Sequence, residues 1–555
     1  MMRTCARIAG AMAAALTLAV GVAACGSEST SDGAGGGSDT AKGGGKITVL
    51  FGTAADSLDP QVGYTSQSFE ADWLVYTPLL TYRHENGAAA SELIPGLATA
   101  LPEISEDGKT YKFTLREGLT FSDGKPVKAS DFAYTMQRVM KANWGGKSFF
   151  TSYIAGAPEY DAGKAKSISG IKTDDATGEI TITLSKPYGA FSNVLAFPSA
   201  GLVPTGTPMK NLPNDPPPGV GPYVFGDIAP NRGYTLEKNP DFAGFEIPDI
   251  PLGGVDTIEA KYSANTVSSA QQVLNNEADV FDYADTIPPS VLPQIEAKAK
   301  DRFATSGNPS TFYFFLNTTK APFDNLKARQ AVNYAIDRDA LARIASGFMK
   351  PDCYYIPEGI AGHPTAPCPY GDTPDIEKAK ALIEEAGLVG TPVTVWGQER
   401  SPRREWIDYY TDLLNKIGFK ATEKIIADDI YFPTIGNEKS DPQTGFADWI
   451  QDFPHPANFY LLMDGNSIQP TNNQNFSKIN DPVVQKALAE LAPVPGTELE
   501  SVADKWRELD EHLAEQAYIA SFGAAAYPLF FSERIDFDSA VFSTYGTDLS
   551  SLKLK

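Results

Sequence analysis

Ser122-Asp123-Gly124-Lys125 has the S-x-x-K spacing in which a lysine one helical turn away activates a serine nucleophile. The Asp-Gly pair between them favours a tight turn over a helix, and no K-T-G partner occurs in the chain, so a turn is the better reading and a serine acylase the weaker one. Four histidines, His84, His363, His455 and His512, are scattered, with no HExxH and no CxxC, so neither a protein-built metal site nor a cofactor is expected. GGKS at 145–148 ends like a phosphate loop but has Lys141 where the first glycine is needed. The stretch ADWIQDFPHPANFY, 447–460, sets Asp452 among Trp449, Phe453, Phe459 and Tyr460. A carboxylate drawn out of water among aromatic rings costs free energy unless a hydrogen-bond donor or a cation meets it, and either the fold or a ligand has to supply that partner.

The elements that must position these residues are legible from periodicity. KITVLF (46–51) reads as a strand opening the folded region. Tyr111, Phe113 and Leu115 alternate, as do Ile180, Ile182 and Leu184, the pattern of half-buried strands. Ser130 is expected to cap a helix with Phe132, Met136, Val139 and Met140 on one face, and Asp375 another with Ile376, Ala379, Leu382, Ile383 and Ala386, ended by Gly387 at the left-handed position. TFYFFLN (311–317) is too short for a helix and reads as a strand covered on both faces. LKARQAVNYAIDRDAL after it predicts one helix whose stripe is Ala328, Ala331, Val332, Ala335 and Ile336. Strands and helices alternate irregularly and without an internal repeat, which gives a mixed α/β class with more than one sheet.

A chain of 555 residues exceeds one compact core and implies several domains. The formal charge of −23 argues against nucleic acid and against anionic lipid as partners. Arg3 and Arg7 followed by an uncharged run from Ile8 to Ala24 read as a signal peptide over 1–24. Val22-Ala23-Ala24-Cys25-Gly26 resembles the bacterial lipoprotein signal, which makes Cys25 the lipidation site and the membrane a partner through that anchor alone. Residues 25–45, rich in Gly and Ser, form a flexible tether with a reach of roughly 25 Å. With Cys5 in the leader and Cys25 lipidated, Cys353 and Cys368 remain for a disulfide, worth on the order of 3 kcal/mol for a loop of this size.

LDP (58–60), VYTPLLTY (75–82), the long block from LIPGL to MQRV (93–139), GVGPYVF (219–225), LEKNPDF (236–242), APFDNLKARQAVNYAIDR (321–338) and EKAKALIEEAG (377–387) together resemble family 5 of the bacterial extracellular solute-binding proteins. This is the oligopeptide, dipeptide and nickel type that serves importers driven by ATP hydrolysis. The resemblance implies a two-lobed fold of the type II periplasmic-binding class with an extra inserted domain. Lobe I would be 46–66, 201–307 and 521–555, the inserted domain 67–200, and lobe II 308–520, joined by two hinge strands around a ligand cleft. It implies a monomeric receptor outside the cell membrane, not an enzyme, that captures a short peptide and delivers it to a permease with its ATPase subunits. The alternative solutes are an oligosaccharide, a modified amino acid or a metal chelate.

Residue by residue, WIQDF resembles the family's W-x-x-D-Y segment, which makes Asp452 the acceptor for a ligand ammonium and Trp449 a flat wall or cation–π face beside it. Gly63, Tyr64, Thr65 and Ser66, just after LDP, would pair with a peptide backbone as a strand does. Tyr431 is a further cleft candidate, and Arg400, Arg403 and Arg404 read as a solvated face. Two departures stand out: His455 replaces an acid before proline, which leaves the local charge open, and GTGPY has become GVGPY.

Overall fold

A computed structural model describes residues 44–555 apart from Asn308 and Asn472; the leader at 1–24, the Cys25 site and nearly all of the tether lie outside the described residues. Two α/β lobes share one long strand. In the first, Lys46–Phe51 runs parallel between Thr257–Tyr262 and Val280–Phe281, and Gly233–Lys238 and Tyr223–Ala229 extend the sheet antiparallel. In the second, Pro392–Gln398 is parallel to both Lys420–Ile426 and Thr444–Ile450, and the latter pairs antiparallel with Ser310–Leu316.

Ile519–Phe531 belongs to both sheets: residues 519–523 pair with Ser310–Leu316, and residues 526–531 with Phe303–Gly307 and Val280–Phe281. The chain thus crosses between the lobes at 307–310 and at 523–526, side by side. Two adjacent crossings leave one easy axis of bending, so the fold is built to hinge. The expected boundary at 520/521 falls inside this strand, and that at 66/67 falls in the first turn of the helix Ser66–Val75.

Ser310–Leu316 is buried along its whole length because the sheet is covered on both sides: Phe312, Phe314 and Leu316 enter one core, Tyr313 and Phe315 the other. The inserted domain is an antiparallel sheet of Glu103–Ile104, Thr110–Thr114, Glu179–Thr183 and Ile171–Asp174, sharing one core with the helix Ala129–Lys141.

Two helix expectations are corrected. The helix Ala129–Lys141 starts earlier than Ser130: Asp131 accepts the Lys128 N–H at 2.9 Å, while Ser130 is held by Asp175 through both its N–H and its hydroxyl. The predicted single helix from 326 splits into Leu326–Ala335 and Arg338–Ile344, because the Asp337 carboxylate caps the second helix at Ala340 N–H and Ile336 turns extended. Asp375 does cap Ile376–Glu385, and Gly387 has φ +67°. Cys353 and Cys368 are disulfide-bonded, with Cα atoms 6.0 Å apart.

Candidate ligand-binding cleft

In both lobes the parallel strands point their carboxyl ends toward the gap between them, the place where open α/β sheets bind ligands. Asp452 lies two residues beyond Thr444–Ile450, and Arg400 two residues beyond its parallel neighbour Pro392–Gln398. From the first lobe, Asp282 and Asp285 follow Val280–Phe281, and Asp285 is fixed by the Gly52 N–H at 2.6 Å.

Asp452 is 7% exposed. Its Oδ2 accepts from Asn458 Nδ2 at 2.8 Å and from the Tyr64 hydroxyl, across the cleft, at 3.1 Å. Asn458 in turn accepts the Asp452 N–H at 2.9 Å and the Trp449 indole N–H at 3.0 Å, so Trp449 orients the amide that orients the carboxylate. Burial pushes Asp452 up to about 7, and the hydrogen bonds from Asn458 and Tyr64 only partly offset it; among the described residues no opposite charge contributes. The hydroxyls of Tyr64, Tyr82, Tyr188 and Tyr545, each pushed up by burial first, all lie near enough to feel its charge. His455 adds none: its Nδ1 accepts the Ala457 N–H at 3.0 Å to cap the short helix Pro456–Tyr460, and burial lowers it to about 3, so the ring is neutral.

Nearer the hinge, a cavity of about 50 Å³ is bounded by Tyr283, Asp285 and Thr286 of the first lobe and by Arg400 and Arg403 of the second. Arg400 reaches Asp285 at 3.6 Å and Asp428 at 3.7 Å, both longer than a hydrogen bond. Arg403 pairs with Asp448 and lies 4.9 Å from the centre of the Phe446 ring. These arginines are not a solvated face; they are half-buried and turned toward acids and rings.

Tyr64, Trp449 and Asp452 therefore meet, while the other expectations for this cleft change. Gly63, Tyr64 and Thr65 do not offer a free strand edge. The Gly63 N–H is taken by the Asp59 carbonyl at 2.8 Å, and those of Tyr64 and Thr65 by the Asp56 carboxylate at 3.1 and 3.2 Å. The Gly63 carbonyl accepts from Trp144 Nε1. Thr65 caps the helix that Ser66 begins, so this segment contributes the Tyr64 side chain and not its backbone. Tyr431 is fully buried, its hydroxyl shared between the carbonyls of Trp396 and Phe446, and braces two strands instead of facing the gap. Asn458, which holds the Asp452 carboxylate, and Arg400, which faces Asp285 and Asp428, were not singled out as cleft candidates from the sequence; Asn458's place six residues after Asp452 was the one hint.

The S-x-x-K stretch forms the turn that its Asp-Gly pair predicts. Ser122 lies exposed in a turn with Gly124 at φ +80°, and the Lys125 ammonium is paired with Asp123 at 2.7 Å. Among the described residues, no cluster of His, Cys, Asp or Glu is arranged to hold a metal ion, and no helix is long and apolar enough to cross a membrane.

Residues 92–470 match the family of bacterial extracellular solute-binding proteins, family 5 Middle. The glutathione-binding protein GsiB of Escherichia coli O1:K1 / APEC is 30% identical over 324 residues, covering 57% of this chain and 58% of that protein, so the chain spans under two thirds of the length of this curated relative. Among solved structures, clavulanic acid biosynthesis oligopeptide binding protein 2 superposes with a TM-score of 0.83 at 23% identity, covering 92% of this chain and 96% of the other. Haemophilus influenzae OppA, solved in complex with RPPGFSPFR, superposes with a TM-score of 0.76 at 19% identity, covering 93% and 100%. At those identities the structural likeness speaks for the fold, a type II periplasmic-binding architecture with an inserted domain. The match over more than half of its length settles the rest: the chain belongs to the bacterial extracellular solute-binding proteins of family 5.

Proposed function

We propose that this chain is the ligand-capturing lipoprotein of an ATP-driven importer and that it takes a short peptide by its α-ammonium group. The observation that carries this reading is Asp452, a carboxylate buried between the lobes and held, among the described residues, by the neutral donors Asn458 and Tyr64. An ammonium there replaces the lost hydration of the charge, and their hydrogen bond strengthens as the cleft excludes water. The glutathione-binding and oligopeptide-binding names of similar proteins support the same class of ligand.

Trp449 acts through Asn458, and Tyr64 closes over the pair from the opposite lobe. Arg400, on the same sheet edge and only loosely engaged by acids, is the cation available to the ligand's carboxylate. A ligand that touches both lobes favours the closed form, which is the form a permease would recognise. Lipidation of Cys25 and the tether that follows would keep a monomeric receptor beside its permease and ATPase subunits; replacing Cys25 with Ala should release it from membranes.

The test is calorimetry with di-, tri- and tetrapeptides, their N-acetylated forms and maltotriose. Free-amine peptides should bind and raise the melting temperature, N-acetylation should abolish most of the heat, and Asp452→Asn should weaken binding roughly 30- to 1,000-fold, equivalent to about 2–4 kcal/mol. Binding of maltotriose in place of peptides, or peptide affinity unchanged in Asp452→Asn, would refute the assignment.

A further inference from the structure

The inserted domain and the second lobe also meet through groups other than the carboxylate. The Gly189 N–H of the inserted domain donates to the Ala492 carbonyl of the second lobe at 2.8 Å. Gly189 does not adopt a left-handed φ, so its own backbone does not call for glycine. The approach does: a β-carbon at this position would fall inside the Val494 carbonyl and 2.9 Å from the Pro495 nitrogen.

Phe453 makes the second contact. It follows Asp452 on the second lobe, yet it is wholly buried in the core of the inserted domain, edge-on to Phe149 at 5.6 Å and Phe197 at 5.7 Å. One contact is backbone to backbone and the other apolar to apolar, so neither uses a group that recognises charge on a ligand.

We propose that Gly189 with Ala492, and Phe453 in its slot between Phe149 and Phe197, form a closing catch between the inserted domain and the second lobe. The catch sets the open–closed equilibrium and thereby scales the affinity for every ligand by one common factor. Apparent affinity falls in proportion to the population of the closed form, so a weaker catch costs all ligands alike, whereas a lost recognition group costs only the ligands that use it. The inference does not depend on the ligand being a peptide.

The test uses the full chain with Gly189→Val and Phe453→Ala. Small-angle scattering without added peptide should show a larger radius of gyration for both variants, and Gly189→Val should keep the wild-type far-UV circular dichroism, since the substituted turn is half-exposed. Trialanine and N-acetyl-trialanine are then titrated. Every probe the wild type binds should weaken by the same factor, roughly tenfold or more. A scattering curve unchanged by Gly189→Val overturns the catch, as does a loss confined to one ligand class. Should Phe453→Ala fail to fold, Gly189→Val decides alone. Unchanged binding in Asp452→Asn would remove the peptide assignment and leave the catch standing, so the two fail separately.

Discussion

Two buried aspartates, Asp59 and Asp452, receive opposite treatment from this fold. Asp59 is clamped bidentately by Arg138 at 2.6 and 2.5 Å, with both side chains fully buried, and also accepts the N–H groups of Gln61 and Leu212. Arg138 directs its remaining donors to Gln61 and to the carbonyls of Pro208 and Lys210. Every charge there has its counter-charge inside the protein. Among the described residues, the Asp452 carboxylate has an amide and a phenol. Burial without a counter-ion leaves two outcomes, a charge supplied from outside or a carboxyl that stays protonated, and what sets Asp452 apart from buried acids such as Asp72 is its place between the lobes.

Breaking the first node should have the largest effect on stability. Arg138→Met leaves Asp59 buried without its counter-ion, at a cost of about 3–5 kcal/mol, visible as a melting temperature several degrees lower, and adding Asp59→Asn should recover part of it. Asp452→Asn should do the reverse in the ligand-free protein at pH 8, keeping or raising the melting temperature, since ionising that carboxyl opposes folding.

Acidity should divide stability from binding. Because Asp452 titrates near 7 in the folded chain, against 3.8 for an unperturbed aspartate, the native state holds a proton that the unfolded state has released across that window. Stability should therefore rise as pH falls from about 8 toward 5. Glu70 and Asp72, buried and pushed up chiefly by burial and then by neighbouring acids, add in the same direction. Ammonium binding needs the ionised carboxylate, so peptide affinity should drop by about tenfold per pH unit below 7, and both curves can be read from one calorimetric series.

Tyr64→Phe sharpens the contrast with the smallest change. It removes one donor, worth about 1 kcal/mol, and because that hydrogen bond favours the ionised form, the midpoint of the pH dependence of binding should move upward. A midpoint that stays in place would mean that the phenol does not stabilise the carboxylate.

Much of this was legible in the chain. Alternation marked the strands at 110–114 and 179–183, the unbroken apolar run at 311–317 marked a doubly covered strand, and Asp375 marked a helix start. Each signal is local, set by side-chain period or by one side chain reaching its own backbone. Asp452 also stood out, as an acid among aromatics. The Gly63–Ser66 segment misled because nothing in its composition reveals that Asp56 and Asp59 take its N–H groups. Tyr431 misled because an aromatic beside acids looks the same whether it faces a cleft or braces two strands.

The sequence by itself determined the α/β class and the cysteine pair available for bridging, because composition and short-range pattern carry that information; it marked Asp452 as an acid among aromatics, and the family resemblance alone implied an ammonium acceptor there. Tertiary structure alone decided which acid keeps a counter-ion and which does not. Asp59 meets Arg138 across 79 positions, and Asp452 meets Tyr64 across 388. Contacts at such separation depend on how the two crossing segments fold the lobes together, and the desolvation cost of a charge is offset only by the neighbours that this folding supplies.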